Sequence, residues 1–251
     1  MPARPRNIIR ATVAVLAAAA SLLITTPTAA QAEVATCGSR SPNNYHAGFV
    51  NPGDSNVEGD YAIISTRYGA VCDTDTTANN FTNQYAMIAS NNLAGWAQDG
   101  YIRWYGSSIV FFAQQSSGHS LNTKYGTSGL ALGSTYFYYN KWDSTCYCME
   151  DIIGRTLYLK STWNPWTAWV LPFSPQFTGE ATYLASDLSG TASAPANYTA
   201  VSGQDSWTDA WEPYPCGQMQ SVNDGSALRV DGKSWRFNVT NPCPNFNLYT
   251  G

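Results

Sequence analysis

The strongest constraint on the fold is a train of short runs rich in aromatic and β-branched residues, each closed by Gly, Asn, Asp, Ser or Pro. "YAIISTRYG" (61–69), "YAMIAS" (85–90), "GYIRWYG" (100–106), "SIVFFAQQ" (108–115), "STYFYYNKW" (134–142), "RTLYLKSTW" (155–163), "TAWVLPF" (167–173), "NYTAVSG" (197–203) and "ALRVDGKSWRFNV" (227–239) recur at near-regular spacing. Runs of this length and composition read as strands. "NDG" at 223–225 and "VDGK" at 230–233 add hairpin signals. No heptad, internal repeat or long amphipathic helix competes with them. The expected class is all-β: an antiparallel β-sandwich or jelly roll, with one sheet face free to form a groove.

The chain divides into three parts. Residues 1–32 read as a signal peptide: Arg4, Arg6 and Arg10 open it, an apolar run follows, and Ala30 to Ala32 supply the small residues of a cleavage site. Residues 33–58 are polar and irregular and read as an N-terminal arm, and residues 59–251 as a single β-sandwich domain. Within the arm, "DSNVEGD" (54–60) imitates the start of a calcium loop, but its twelfth position is Ser65, and it reads as a turn. A secreted, extracellular protein is expected, with no membrane anchor. Once the leader is removed, 219 residues of net charge −7 remain, their basic residues scattered singly. Such a surface offers no footprint for nucleic acid or an anionic membrane.

All six cysteines, Cys37, Cys72, Cys146, Cys148, Cys216 and Cys243, follow the leader. An even number in an exported chain reads as disulfides, and Cys216 to Cys243 is the preferred bridge. Cys146 and Cys148 lack histidines at ligand spacing, so no metal and no cofactor is expected.

The common catalytic patterns are missing: there is no G-x-S-x-G, no H-E-x-x-H and no phosphate loop. His46 and His119 both sit in polar segments that read as surface loops. Carboxylates and amides are left. In "SPQFTGEATYLASDLSG" (174–190), Thr178, Glu180 and Thr182 share one strand face, opposite Phe177, Gly179 and Ala181. In "GWAQDGYIRW" (95–104), Trp96, Gln98, Gly100, Ile102 and Trp104 share a face, which leaves Gln98 among aromatics. A buried amide there needs a hydrogen-bond partner or a ligand.

Both segments resemble strands of the glutamic peptidases, the eqolisin and neprosin-like superfamily: "GWAQDGYIRW" is similar to its Gln strand and "TGEATYLASDLSG" to the strand carrying its catalytic Glu. Residues 164–190 also resemble secreted bacterial proteins. The resemblance implies a concanavalin-like jelly roll in which Gln98 and Glu180 face each other across a groove, with Trp96, Trp104, Thr178 and Thr182 binding substrate. It further implies an acid-acting endopeptidase in which Glu180 activates water and the Gln98 amide positions that water and supports the oxyanion. The expected partner is an extracellular polypeptide, and the expected state a monomer. The alternative is a non-catalytic module binding polysaccharide or another surface through its aromatic residues, such as Trp163, Trp166 and Trp169.

Overall fold

The computed structural model describes residues 37–53, 56–72, 80–214, 216–224, 232–233, 235–238 and 245–251. In chain order the strands are β1 (Arg40–Val50), β2 (Val57–Ser65), β3 (Phe81–Ala89), β4 (Trp96–Trp104), β5 (Val110–Ser116), β6 (Leu121–Tyr125), β7 (Thr135–Asp143) and β8 (Cys148–Ile153). They continue with β9 (Thr156–Lys160), β10 (Ser174–Tyr183), β11 (Gly190–Thr191), β12 (Ala194–Asp205), β13 (Trp211–Pro213), β14 (Gln220–Asn223), β15 (Trp235–Asn238) and β16 (Phe246–Thr250). One turn of helix, Pro165–Ala168, is capped by the Asn164 side chain, which accepts from the Trp166 N–H.

These strands form two antiparallel sheets. The first runs β14-β1-β10-β3-β4-β5-β6; the second runs β15-β16-β12-β2-β7-β8-β9, with β11 and β13 also paired to β12. Alternation along each strand decides what lies between the sheets. Phe177, Gly179 and Ala181 of β10 and Ala97 and Tyr101 of β4 point inward, against Ala62, Ile64, Tyr138, Met149, Tyr198 and Leu248 of the second sheet. The all-β sandwich expected from the sequence is the observed architecture.

One expectation is corrected: residues 40–50 of the supposed N-terminal arm are β1, which adds to β10 on one side and β14 on the other. β14 pairs with β1 in the first sheet and β15 with β16 in the second, while the "NDG" and "VDGK" signals run into residues outside the described ones. Cys37 bonds Cys72, with their Cα atoms 5.3 Å apart, and Cys146 bonds Cys148. Cys243 lies outside the described residues, and with it the expected bridge to Cys216.

The sandwich interior also holds charge-capable groups. Asp60 (β2), Asp99 (β4) and Asp151 (β8) are each fully buried between the sheets. Asn140 donates to Asp60 Oδ1 at 2.7 Å, the Tyr139 N–H to Asp99 Oδ2 at 3.1 Å, and Gln115 to Asp151 Oδ1 at 2.8 Å. Asp60 and Asp151 each keep one buried carboxyl oxygen with no hydrogen-bond partner. Burial raises all three well above the ordinary carboxyl range, and the mutual repulsion of the three adds to it at Asp99 and Asp151.

Candidate functional site

The outward face of the first sheet is crossed by a cavity of about 730 Å³, within the size range of a ligand pocket. Its floor is apolar: Tyr85, Ile102 and Phe112 pack together, flanked by Phe81, Met87, Trp104 and Val110. Strand register sorts the polar residues into two rows. At one end His46, Glu180, Asn83 and Ile102 stand side by side on β1, β10, β3 and β4. Four residues further along, Gln176, Met87, Gln98 and Gln114 stand side by side on β10, β3, β4 and β5.

Glu180 is held by donors on both flanks. Asn83 donates to its Oε2 at 2.9 Å, and the Asn44 amide donates to Oε1. His46 Nε2 lies 3.5 Å from Oε1, and His46 Nδ1 lies 3.4 Å from Asp224 Oδ2. Two backbone features deliver these groups. A register shift in β1 between Arg40 and Tyr45 puts Asn44 at φ 60°, a left-handed conformation that Asn tolerates, and the irregularity turns its amide toward Glu180. Gly48, at φ 149°, lets β1 lie tight on β10: a Cβ there would sit 2.2 Å from the Phe177 carbonyl oxygen. The Asp224 N–H donates to the His46 carbonyl at 2.8 Å, which ties the turn after β14 to the same place.

Electrostatics follow from this geometry. Burial alone would raise the Glu180 carboxyl; His46 and the Asn83 and Asn44 amides outweigh it and hold the group below its ordinary value. Burial would likewise lower His46, but Glu180 and Asp224 prevail and raise it above 6.5. Tyr85, buried beside Glu180, is pushed well up by burial and by that charge. The pair thus favours a carboxylate beside an imidazolium.

Gln98 lines the same cavity as Glu180, but its amide donates to Gln114 Oε1 at 2.7 Å. The same oxygen accepts from Trp96 Nε1 at 3.3 Å, and the Gln114 amide donates to Thr123. Gln98 and Glu180 are separated by two strand spacings and four residues, on the order of 17 Å between Cα atoms on a flat sheet. The register therefore puts them at different ends of the cavity rather than around one water, and Asn83 and Asn44 are the amides in contact with Glu180. Trp96 and Trp104 do line the cavity. Thr178 and Thr182 do not: they are 1% and 2% exposed, and Thr182 Oγ1 accepts from the Phe81 N–H.

His46 corrects the surface-loop reading: it is a strand residue facing Glu180. A signal for it exists in the chain, since Tyr45, Ala47 and Phe49 alternate with His46 and Gly48.

No protein-family model and no curated protein sequence matches the chain. Solved structures do match in shape. One is scytalido-glutamic peptidase with a peptide-based transition state analog, at TM-score 0.53 and 6% identity; the match covers 82% of this chain and 97% of that one. Another is scytalido-glutamic peptidase with a transition state analog inhibitor, at TM-score 0.55, with the same identity and coverage. The chain therefore has a glutamic-peptidase-like fold.

Proposed function

We propose that the chain is an exported peptide hydrolase acting in acid, with Glu180 as its general base. The observation that carries this reading is a carboxylate held ionised at the wall of a peptide-sized cavity. Such a group takes a proton from water as the water oxygen adds to the scissile carbonyl. Asn44 and Asn83 each use one N–H on Glu180 and have a second to offer the developing oxyanion. Gln98, with Trp96, grips the substrate about 14 Å along the strands from Glu180, roughly the length of four extended residues, while Trp104 lines the Glu180 end. The structural neighbours, solved with transition state analogs, support the same chemistry. Export is supported by the leader pattern and by the Cys37–Cys72 bond, and no helix among the described residues is long and apolar enough to cross a membrane.

The test is cleavage of a denatured protein at about pH 4. Glu180→Gln should lower the rate about a thousandfold while leaving the circular dichroism spectrum unchanged; equal cleavage by both proteins would refute the assignment.

The second reading, a glycan-binding module, is favoured by one observation. Tyr61, Phe137, Tyr139, Trp211 and Arg155 line a cavity of about 430 Å³ on the second sheet, with the Tyr61 and Phe137 rings stacked at 6.2 Å. Retention on a polysaccharide column that survives Glu180→Gln but is lost in Trp211→Ala would establish it.

A further inference from the structure

Glu180 as sole catalyst would have to take a proton from water and return it to the departing amine. The cavity contains a second group fit for the latter task. His46 lies at its wall, 3.5 Å from Glu180 by Nε2 and 3.4 Å from Asp224 by Nδ1, so the three side chains form a line of carboxylate, imidazole and carboxylate. The His46 side chain is 27% exposed and that of Glu180 12%, so a substrate in the cavity can reach both.

Resting on the hydrolase reading above, we propose that His46 is the proton donor to the leaving amine, oriented by Asp224, with Glu180 confined to the role of base. The balance closes within one turnover. Water gives its proton to Glu180 and its oxygen to the carbonyl carbon. As the C–N bond breaks, the Nε2 proton of the imidazolium passes to the departing nitrogen. The proton on Glu180 then crosses to His46 Nε2, which restores the starting pair. The titratable groups facing His46 are Glu180 on β10 and Asp224 after β14; Tyr85 on β3 stands beside Glu180, and Asn44 and Asn83 are uncharged. Both carboxylates stabilise the imidazolium, which supports a donor that stays charged above pH 6.5.

The experiment compares wild type with His46→Gln on a peptide and on the matching 4-nitrophenyl ester, across pH. An amine must be protonated to leave and nitrophenolate need not be. His46→Gln should therefore lower kcat on the peptide by about a hundredfold or more, on the ester by less than about fivefold, with KM little changed. Peptide cleavage by wild type should decline as pH passes the His46 pKa, and Asp224→Asn should move that decline to lower pH. Imidazole NMR, with His119→Gln for assignment, should place His46 above 6.5 and lower it in Glu180→Gln. Equal losses on both substrates, or a His46 that titrates below 6.5, would overturn the donor role while leaving Glu180 as base. A wild type that cleaves neither substrate would remove the hydrolase reading and the donor together.

Discussion

Buried carboxyls occupy two regions of this molecule and are driven in opposite directions. Glu180, in the outer cavity, is held below its ordinary pKa, whereas Asp60, Asp99 and Asp151, between the sheets, are held well above theirs. Burial acts the same way on all four, raising each. What differs is the company. Glu180 receives two amide donors and an imidazole. The interior aspartates face one another, two of them keep an orphaned oxygen, and among the described residues none has an ion-pair partner. Donors and neighbouring charge, not depth, decide which carboxyl is a base and which is a neutral structural group.

The consequences for stability have opposite signs. The raised pKa values of the interior aspartates contribute stability that is fully present below their unfolded values and is lost as pH climbs through the folded ones. Glu58, pushed up to about 8 by burial and by Asp209, extends that loss toward pH 8. The depressed Glu180 contributes above its unfolded value and loses its contribution as pH falls through the folded one. With four buried carboxyls and His46 raised against one buried carboxyl depressed, and the depressed Asp143 and Asp205 exposed to solvent, the fold should be more stable in mild acid than at neutral pH, under the conditions in which Glu180 is still ionised.

Three substitutions probe this contrast. Asn83→Ala removes the donor to Glu180 Oε2 and should make the cavity carboxyl resemble the interior ones. Its acid limb should move up by about one pH unit, with an activity loss of about tenfold on the acid side of the profile, as read from the pH dependence of kcat/KM. Asp60→Asn replaces one interior carboxyl with a neutral isostere while keeping the oxygen that accepts from Asn140. Thermal melts should show a shallower fall of Tm between about pH 4 and pH 8, and a gain on the order of 1 kcal/mol over wild type at the upper end. An unchanged slope would mean that Asp60 is not held protonated. Gln98→Ala touches neither set. It should raise KM for a longer peptide by about fivefold with kcat preserved, and leave a dipeptide substrate unaffected.

Much of the first sheet is legible in the sequence because its strands alternate. The faces assigned to Glu180 and Gln98 hold, as do the inward Phe177 and Ala181 and the outward Trp96 and Trp104. Thr178 and Thr182 share the parity of Glu180 but are covered by neighbouring structure, which parity cannot reveal. β1 is not legible because "RSPNNYHAGFV" has weak strand composition; it is a strand because β10 and β14 supply its hydrogen bonds. The role of His46 is hidden for the related reason that its proximity to Glu180, 134 positions away, is a property of pairing register. The same holds for Asp60, Asp99 and Asp151: Asp60 and Asp151 flank Asn140 by register within the second sheet, and Asp99 joins them only because the two sheets stack.

The most direct test is a carboxyl ¹³C NMR titration of protein labelled at Glu and Asp, with Glu180→Gln and Asp60→Asn for assignment. The expected result is Glu180 titrating below 4.5 while Asp60 stays protonated well above 3.8. A Glu180 that takes up its proton at the same pH as Asp60, or higher, would contradict the claim that the cavity holds a base.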